Sequence, residues 1–175
     1  MLKNKKILIT GIANKFSIAH GIAKSMSKNG AELAFAYQNE RLLKKIKPIA
    51  EELGVKTLIE CDVSCDKSIE QTFAQLRNEW GTLDGIVHSI GFAPSDQLDG
   101  DFTEVTTREG FQIAHDISSY SFTALAKGAL PILSENAALL TLTYLGSIQS
   151  LPNYNVMGLA KASLEANTRF LVASL

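Results

Sequence analysis

The sequence is poor in the residues that build disulfide frameworks, metal clusters and strongly charged binding surfaces. It has 2 cysteines and 3 histidines in 175 residues, and Cys61 and Cys65 lack the paired spacing that zinc sites use. The formal charge of -1 provides no overall field to attract nucleic acid or an anionic membrane. No apolar run is long enough for a membrane-spanning helix or a signal-peptide core. We therefore expect a cytoplasmic protein that binds neither nucleic acid nor membrane and holds no metal.

What remains is the composition of a globular protein with an apolar core, with 46% hydrophobic and 20% charged residues. No repeat, low-complexity tract or linker divides the chain, so we predict a single domain over residues 1–175. Short apolar runs alternate with segments of helical spacing. Strands are predicted at 6–10, 31–37, 55–60, 83–90 and 138–145. Helices are predicted at 17–28, 40–53, 69–80 and 107–130, and from 154 onward.

This alternation predicts a doubly wound α/β fold, the Rossmann arrangement, with a parallel sheet of strand order 3-2-1-4-5. Ser17 is the expected N-cap of the first helix, Pro48 should kink or restart the second, and Pro131 should end the long one. Ligands of such sheets bind beyond the carboxyl ends of the strands where the order reverses, here between strands one and four. We expect the loops after strands one, four and five to converge there.

Tyr144 lies at the end of the fifth predicted strand, and a second tyrosine and a lysine follow it. A helix advances about 100° per residue, so Tyr154 and Lys161, seven positions apart, face the same way. A lysine ammonium near a phenol lowers the pKa of that phenol, and a tyrosine hydroxyl can donate to a developing oxyanion. The same spacing recurs in two other pairs, Tyr37 with Lys44 and Tyr120 with Lys127. The position after strand five, and not the spacing, therefore singles out this pair.

The loop between the first strand and the first helix lies where a dinucleotide pyrophosphate would meet a helix N-terminus. It runs from Gly11 to Gly21 with the sequence GIANKFSIAHG, and it lacks the G-x-G-x-x-G pattern. Taken alone, the loop fits an ordinary strand-to-helix turn as well as a cofactor loop.

Five segments together resemble the bacterial NADH-dependent enoyl-acyl-carrier-protein reductases, a divergent branch of the short-chain dehydrogenases/reductases. They are TGIANKFSIAHG at 10–21, CDV at 61–63, HSIGFAP at 88–94, REGFQIAHDISSYSF at 108–122 and YNVMGLAKASLEAN at 154–167. Most members of the wider family carry a TGxxxGxG loop and a Tyr-x-x-x-Lys pair preceded by serine. This sequence instead has a Tyr-x6-Lys pair, with Tyr144 at the position of the serine, as enoyl reductases do.

The resemblance implies an enzyme of fatty acid biosynthesis that reduces the double bond of trans-2-enoyl thioesters on acyl carrier protein by hydride transfer from NADH. By the same resemblance, Tyr154 would stabilise the enolate oxygen, Lys161 would bind the nicotinamide ribose, and Tyr144 would line the acyl pocket. Ala93 would contact the acyl substrate. The implied cofactor contacts are Gly11, Ser17, Ile18, Gln38, Asp62, Val63, Ile90 and Lys161.

NADH is favoured over NADPH, although no acidic residue ends the second strand. Glu40 lies close in sequence, and Arg41 could meet a 2′-phosphate. Two other interpretations stay open: a carbonyl-reducing enzyme of the ketoacyl reductase type, and an inactive cofactor-binding module. Members of the family continue past this point, so we also expect that this chain lacks the C-terminal strands and the substrate-covering segment. Alone, it should be poorly soluble or nearly inactive. The resemblance further implies a homotetramer for the full-length family.

Overall fold

The computed structural model describes residues 2–175, which form one parallel five-stranded sheet and helices connecting its strands. The strands are β1 (Lys6–Ile9), β2 (Glu32–Tyr37), β3 (Thr57–Glu60), β4 (Leu83–His88) and β5 (Leu133–Thr141). Their order is β3-β2-β1-β4-β5, and every neighbouring pair is parallel. The predicted Rossmann fold and strand order are confirmed. The reversal of order lies between β1 and β4, as expected.

The helices are α1 (Ile18–Lys28), α2 (Glu40–Leu53), α3 (Asp66–Trp80), α4 (Phe102–Val105), α5 (Arg108–His115), α6 (Ser121–Ala129) and α7 (Asn155–Ser174). The first three match their predicted positions, and α4 was not predicted. α2 continues through Pro48 without restarting and ends at Gly54, whose φ of 71° gives the left-handed C-cap that glycine favours. No helix within residues 2–175 is both long and apolar enough to cross a membrane.

The chain divides into two compact units. The sheet unit contains the residues up to Ser89 together with Lys127–Thr141, and therefore all five strands. The tyrosine unit contains Ile90–Ala126 and Leu142–Leu175. The single domain over residues 1–175 stays a prediction.

The centre of the sheet unit is apolar because β1 and β4 are covered on both faces. Leu8, Ile9, Ile86 and Val87 are all buried, which is typical of parallel strands between helical layers. Small residues of α1 and the apolar stripe of α2 pack against the β1 side of this core.

β5 lies further towards the N-terminus than the predicted 138–145. It begins at Leu133 and ends at Thr141, and its register with β4 shifts between Leu83 and Gly85. The last pair, His88 with Thr141, is fixed by a bond between His88 Nδ1 and Thr141 Oγ1 (2.8 Å). The strand therefore stops before Tyr144, which lies in a loop and not at the strand end.

The long helix predicted at 107–130 is interrupted. Between α5 and α6 lies a π-helical segment, Asp116–Tyr120, and α6 is followed by a 3-10 turn at Leu130–Ile132 that contains Pro131. Ser118 and Ser119 of the π segment are buried and bond outside their own helix. Widened turns of this kind often occur at functional sites.

Candidate active site

Gly11 follows β1 and allows the backbone to pass directly against the end of β4. Its φ is 79°, and a Cβ there would lie 2.5 Å from the Ser89 carbonyl carbon and would overlap the carbonyl oxygen. The approach is fixed on both sides, because Thr10 N donates to Val87 O and Ser89 N donates to Thr10 Oγ1. Only glycine meets both requirements, so the geometry explains why Gly11 remains when the rest of the fingerprint is absent.

Ser17 organises the loop that leads into α1. Its hydroxyl accepts from Ala13 N (3.1 Å) and Asn14 N (3.0 Å) and donates to Asn14 O (2.7 Å). Ser17 occupies the N-cap position as predicted, but its side chain caps no N–H of α1. The expected capping role is therefore wrong, because the hydroxyl closes the preceding loop. The His20 N–H of the first turn donates to Ser17 O (3.0 Å), and the exposed Ile18 begins the helix. A helix N-terminus of this kind can bind an anion.

Three further predicted cofactor residues follow the neighbouring strands. Gln38 is exposed directly after β2. Asp62 follows β3, where its Oδ1 accepts from Ser64 N and from Ser64 Oγ, and the adjacent Val63 is buried. Since β1, β2 and β3 are parallel neighbours, these loops leave the same edge of the sheet. No cluster of metal-ligating side chains is found among residues 2–175.

In the tyrosine unit, Tyr154 stands at the N-cap position of α7, one residue before the helix begins. Its ring lies on two glycines. A Cβ on Gly146 would lie 2.6 Å from Tyr154 Cε1, and a Cβ on Gly158 would lie 2.7 Å from the Gly146 carbonyl oxygen. Any larger side chain at Gly146 would therefore displace the tyrosine.

Tyr144 contacts Tyr154 edge to face, with ring centroids 5.2 Å apart and ring planes at 63°. Burial raises the pKa of Tyr154, and the neighbouring Tyr144 raises it further. The predicted lowering of this pKa by Lys161 is wrong, because burial is the main cause of the shift and the lysine does not contribute to it. At neutral pH the Tyr154 hydroxyl is protonated and available as a hydrogen-bond donor.

Lys161 is 8% exposed, and two backbone carbonyls hold its ammonium. Nζ donates to Leu142 O (2.9 Å) and to Ile90 O (3.4 Å), and burial lowers the pKa of the lysine. Gly91 lies beside the ammonium, and a Cβ there would meet Nζ at 3.5 Å, an ordinary contact distance. The structure thus brings together two predicted site residues, Lys161 and Ile90.

Ala93 is buried in a small apolar cluster with Ala114, Val156, Met157 and Ala160, against which Tyr154 also packs. Of the predicted site residues in this unit, Ala93, Tyr144 and Tyr154 therefore belong to one neighbourhood.

A family model described as "Enoyl-(Acyl carrier protein) reductase" matches residues 11–175. The chain belongs to this enoyl-acyl-carrier-protein reductase family. The resemblance stated from the sequence is confirmed.

The relatives in this family include the proteins named enoyl-[acyl-carrier-protein] reductase [NADH] FabI from Salmonella typhimurium and Escherichia coli K12. Each is 56% identical over 174 residues, covering 99% of this chain and 66% of the relative. This chain thus spans just under two thirds of the length of these curated relatives.

Solved enoyl reductases share the fold closely. The Aquifex aeolicus enoyl-[acyl-carrier-protein] reductase (NADH) superposes with a TM-score of 0.96 at 46% identity, covering 99% of this chain and 69% of that one. The Anaplasma phagocytophilum reductase, solved in complex with NAD, also gives 0.96, at 41% identity, covering 99% of this chain and 66% of that one.

Two residues of the tyrosine unit that bear on the site were missed from the sequence. Ser118 holds the peptide of Phe92, accepting from its N (2.8 Å) and donating to its O (2.8 Å), next to Ala93. Glu165 accepts from hydroxyls on both sides of Tyr144. Serines inside an otherwise helical pattern were the available signal for the first, whereas nothing in the pattern marked the second.

An open cleft of about 420 Å³ lies beside Tyr154. Tyr154 and Gly146 form part of its wall, together with apolar residues that include Ile148 and Leu159. The cleft is partly apolar and partly lined by the polar segment after Gly146, as is usual for a small-molecule site.

Proposed function

We propose that this chain carries the cofactor-binding and catalytic residues of an NADH-dependent enoyl-[acyl-carrier-protein] reductase of fatty acid biosynthesis. The observation that carries the proposal is the neutral, partly buried phenol of Tyr154, seated on Gly146 and in edge contact with Tyr144, in a chain of this family. The relatives named FabI [NADH] and the NAD complex of the Anaplasma phagocytophilum protein support the choice of cofactor.

The residues present suit a dinucleotide. The loop after β1 has no room for a side chain at Gly11, and the side chain of Ser17 caps no N–H group of α1. A pyrophosphate fits such a helix N-terminus. The residues that would hold NADH are Gly11, Ser17, Ile18, Gln38, Asp62 and Val63 towards the adenosine and pyrophosphate, and Ile90 and Lys161 towards the nicotinamide. NADH, when bound, supplies the hydride that reduces the double bond.

The protein's part in the chemistry falls to Tyr154 and Lys161. As the β-carbon is reduced, negative charge moves to the thioester oxygen, and the Tyr154 hydroxyl donates a hydrogen bond to it. A positioned donor of this kind is worth about two to three orders of magnitude in rate. Lys161, fixed by the Ile90 and Leu142 carbonyls, binds a ribose hydroxyl through its remaining N–H. Tyr144 and Ala93 line the acyl site.

Replacement of Tyr154 by phenylalanine tests this assignment. We expect Tyr154→Phe to lower kcat for a trans-2-enoyl thioester by about two to three orders of magnitude, since the donor to the oxyanion is lost. NADH affinity should change little. Tyr120→Phe is the matched control, because Tyr120 is 48% exposed. Equal turnover of the two variants would refute the role of Tyr154.

The physiological substrate would be the enoyl thioester of acyl carrier protein, in the cytoplasm, and the assembled enzyme would be a homotetramer. Exposed Phe170 and Val172 on α7 support an interface between copies. Light scattering measures the assembly directly, and a monomer at working concentrations would rule out a tetramer of this chain.

A further inference from the structure

Glu165 holds the loop on which Tyr144 lies. Its Oε1 accepts from Thr143 Oγ1 (2.6 Å) and from Ser147 Oγ (2.5 Å), so a single carboxylate oxygen binds hydroxyls on both sides of Tyr144. These bonds lower the pKa of Glu165, which stays ionised at neutral pH. Hydrogen bonds to an ionised carboxylate are shorter and about twice as strong as neutral ones.

The carboxylate continues a row of contacts between α7 and this loop. Gly158 packs on the Gly146 carbonyl, and Lys161 donates to the Leu142 carbonyl. Glu165 follows Lys161 by four residues, so it lies one turn further along the same face of α7. Lys161 and Glu165 thus hold the loop from successive turns of α7. Lys161 binds a backbone carbonyl of the loop, and Glu165 binds side-chain hydroxyls of the loop.

Between the bonded residues Thr143 and Ser147, Tyr144 is 56% exposed and makes its ring contact with Tyr154. The Tyr144 carbonyl also accepts from Ser147 N (2.9 Å), which turns the backbone at this residue. We propose that Glu165 is a positioning residue that holds Tyr144 against Tyr154 by binding the hydroxyls on either side of it. The catalytic consequence rests on the proposed function, whereas the position of the ring can be measured without turnover.

Ring resonances report that position. The full chain is labelled with 13C-tyrosine, and Tyr144→Phe and Tyr154→Phe assign the two signals. Glu165→Gln keeps the shape of the side chain but removes the charge. The double variant Thr143→Val with Ser147→Ala removes the two donors instead. Glu109→Gln, an identical change at an exposed site on α5, is the control.

We expect the Tyr144 ring signals to move towards those of a solvated tyrosine in Glu165→Gln and in the double variant, but not in Glu109→Gln. The signals of Tyr37 and Tyr120 should stay in place. With an enoyl thioester, kcat of Glu165→Gln should fall by about tenfold, the effect of about 1.4 kcal/mol, while KM for NADH stays within about twofold.

Unchanged Tyr144 signals in both the Glu165 variant and the double variant would overturn the proposal. Collapse of the Tyr37 and Tyr120 signals as well would overturn it too, because Glu165 would then support the whole fold and not this ring. If the parent chain shows no turnover, the proposed function fails, and the ring signals still decide the role of Glu165.

Discussion

Replacement of Gly11 by alanine adds a single methyl group but should strongly destabilise the junction between β1 and β4. Two separate costs apply. The φ of 79° is unfavourable for any residue with a Cβ, and the new Cβ would lie 2.5 Å from the Ser89 carbonyl carbon. Both strands at this junction are buried and hydrogen-bonded across Thr10, so the backbone cannot move away freely.

The magnitude follows from these two terms. A left-handed backbone costs an L-residue roughly 1–2 kcal/mol, and forcing extra atoms into a packed site costs roughly 1–3 kcal/mol. Gly11→Ala should therefore lower the free energy of unfolding by about 2–5 kcal/mol. Gly54 is the matched control, since its φ is 71° but a Cβ there would meet nothing within 4 Å. Gly54→Ala should therefore lower the free energy of unfolding only by the backbone cost of roughly 1–2 kcal/mol.

Urea denaturation of the parent and both variants, followed by circular dichroism, measures the difference. The Gly11 variant should also bind NADH more weakly, because the loop that would receive the pyrophosphate must shift. If Gly11→Ala is no less stable than Gly54→Ala, close packing against Ser89 does not explain the glycine.

Two further predictions concern charged groups. Burial would raise the pKa of Asp84, but hydrogen bonds from Lys5, Lys6 and Ser134 outweigh it and lower that pKa. The parent should therefore be more stable than Asp84→Asn above the usual aspartate pKa, and this advantage should disappear as the pH falls through the lowered value. Urea midpoints at neutral and acidic pH test this, and a difference that persists in acid would contradict it. Lys161→Met keeps the apolar stem but removes the ammonium, so NADH affinity measured by fluorescence titration should fall about tenfold or more; unchanged affinity would exclude Lys161 from the cofactor site.

The elements that the sequence predicts correctly are those set by local pattern. The strands β1 and β4 contain continuous apolar runs, and α2 has a clear apolar stripe that ends at a glycine. The end of β5 was misplaced because it depends on the pairing of Thr141 with His88, 53 residues away. A pairing between residues so far apart in sequence leaves no signal in the local pattern.

The candidate site shows the same division. The positions of Tyr154 and Lys161 after strand five were visible as a motif, whereas the pKa of Tyr154 was predicted in the wrong direction because it depends on burial. The pairing of Lys161 with the Ile90 carbonyl joins residues 71 apart, and that of Glu165 with Thr143 joins residues 22 apart. Such contacts can be seen only in the folded chain, where α7 packs against the segments that contain Ile90 and Thr143.

The most direct test of the proposed function compares two thioesters with the same NADH and the same protein. The rate of NADH consumption is measured with a trans-2-enoyl thioester and with a 3-ketoacyl thioester of equal chain length. A low absolute rate, which we expect of the chain on its own, still leaves this ratio measurable. Our account predicts consumption with the enoyl substrate and a saturated thioester as product. Consumption with the ketoacyl substrate alone, or NADH binding without consumption of either, would contradict it.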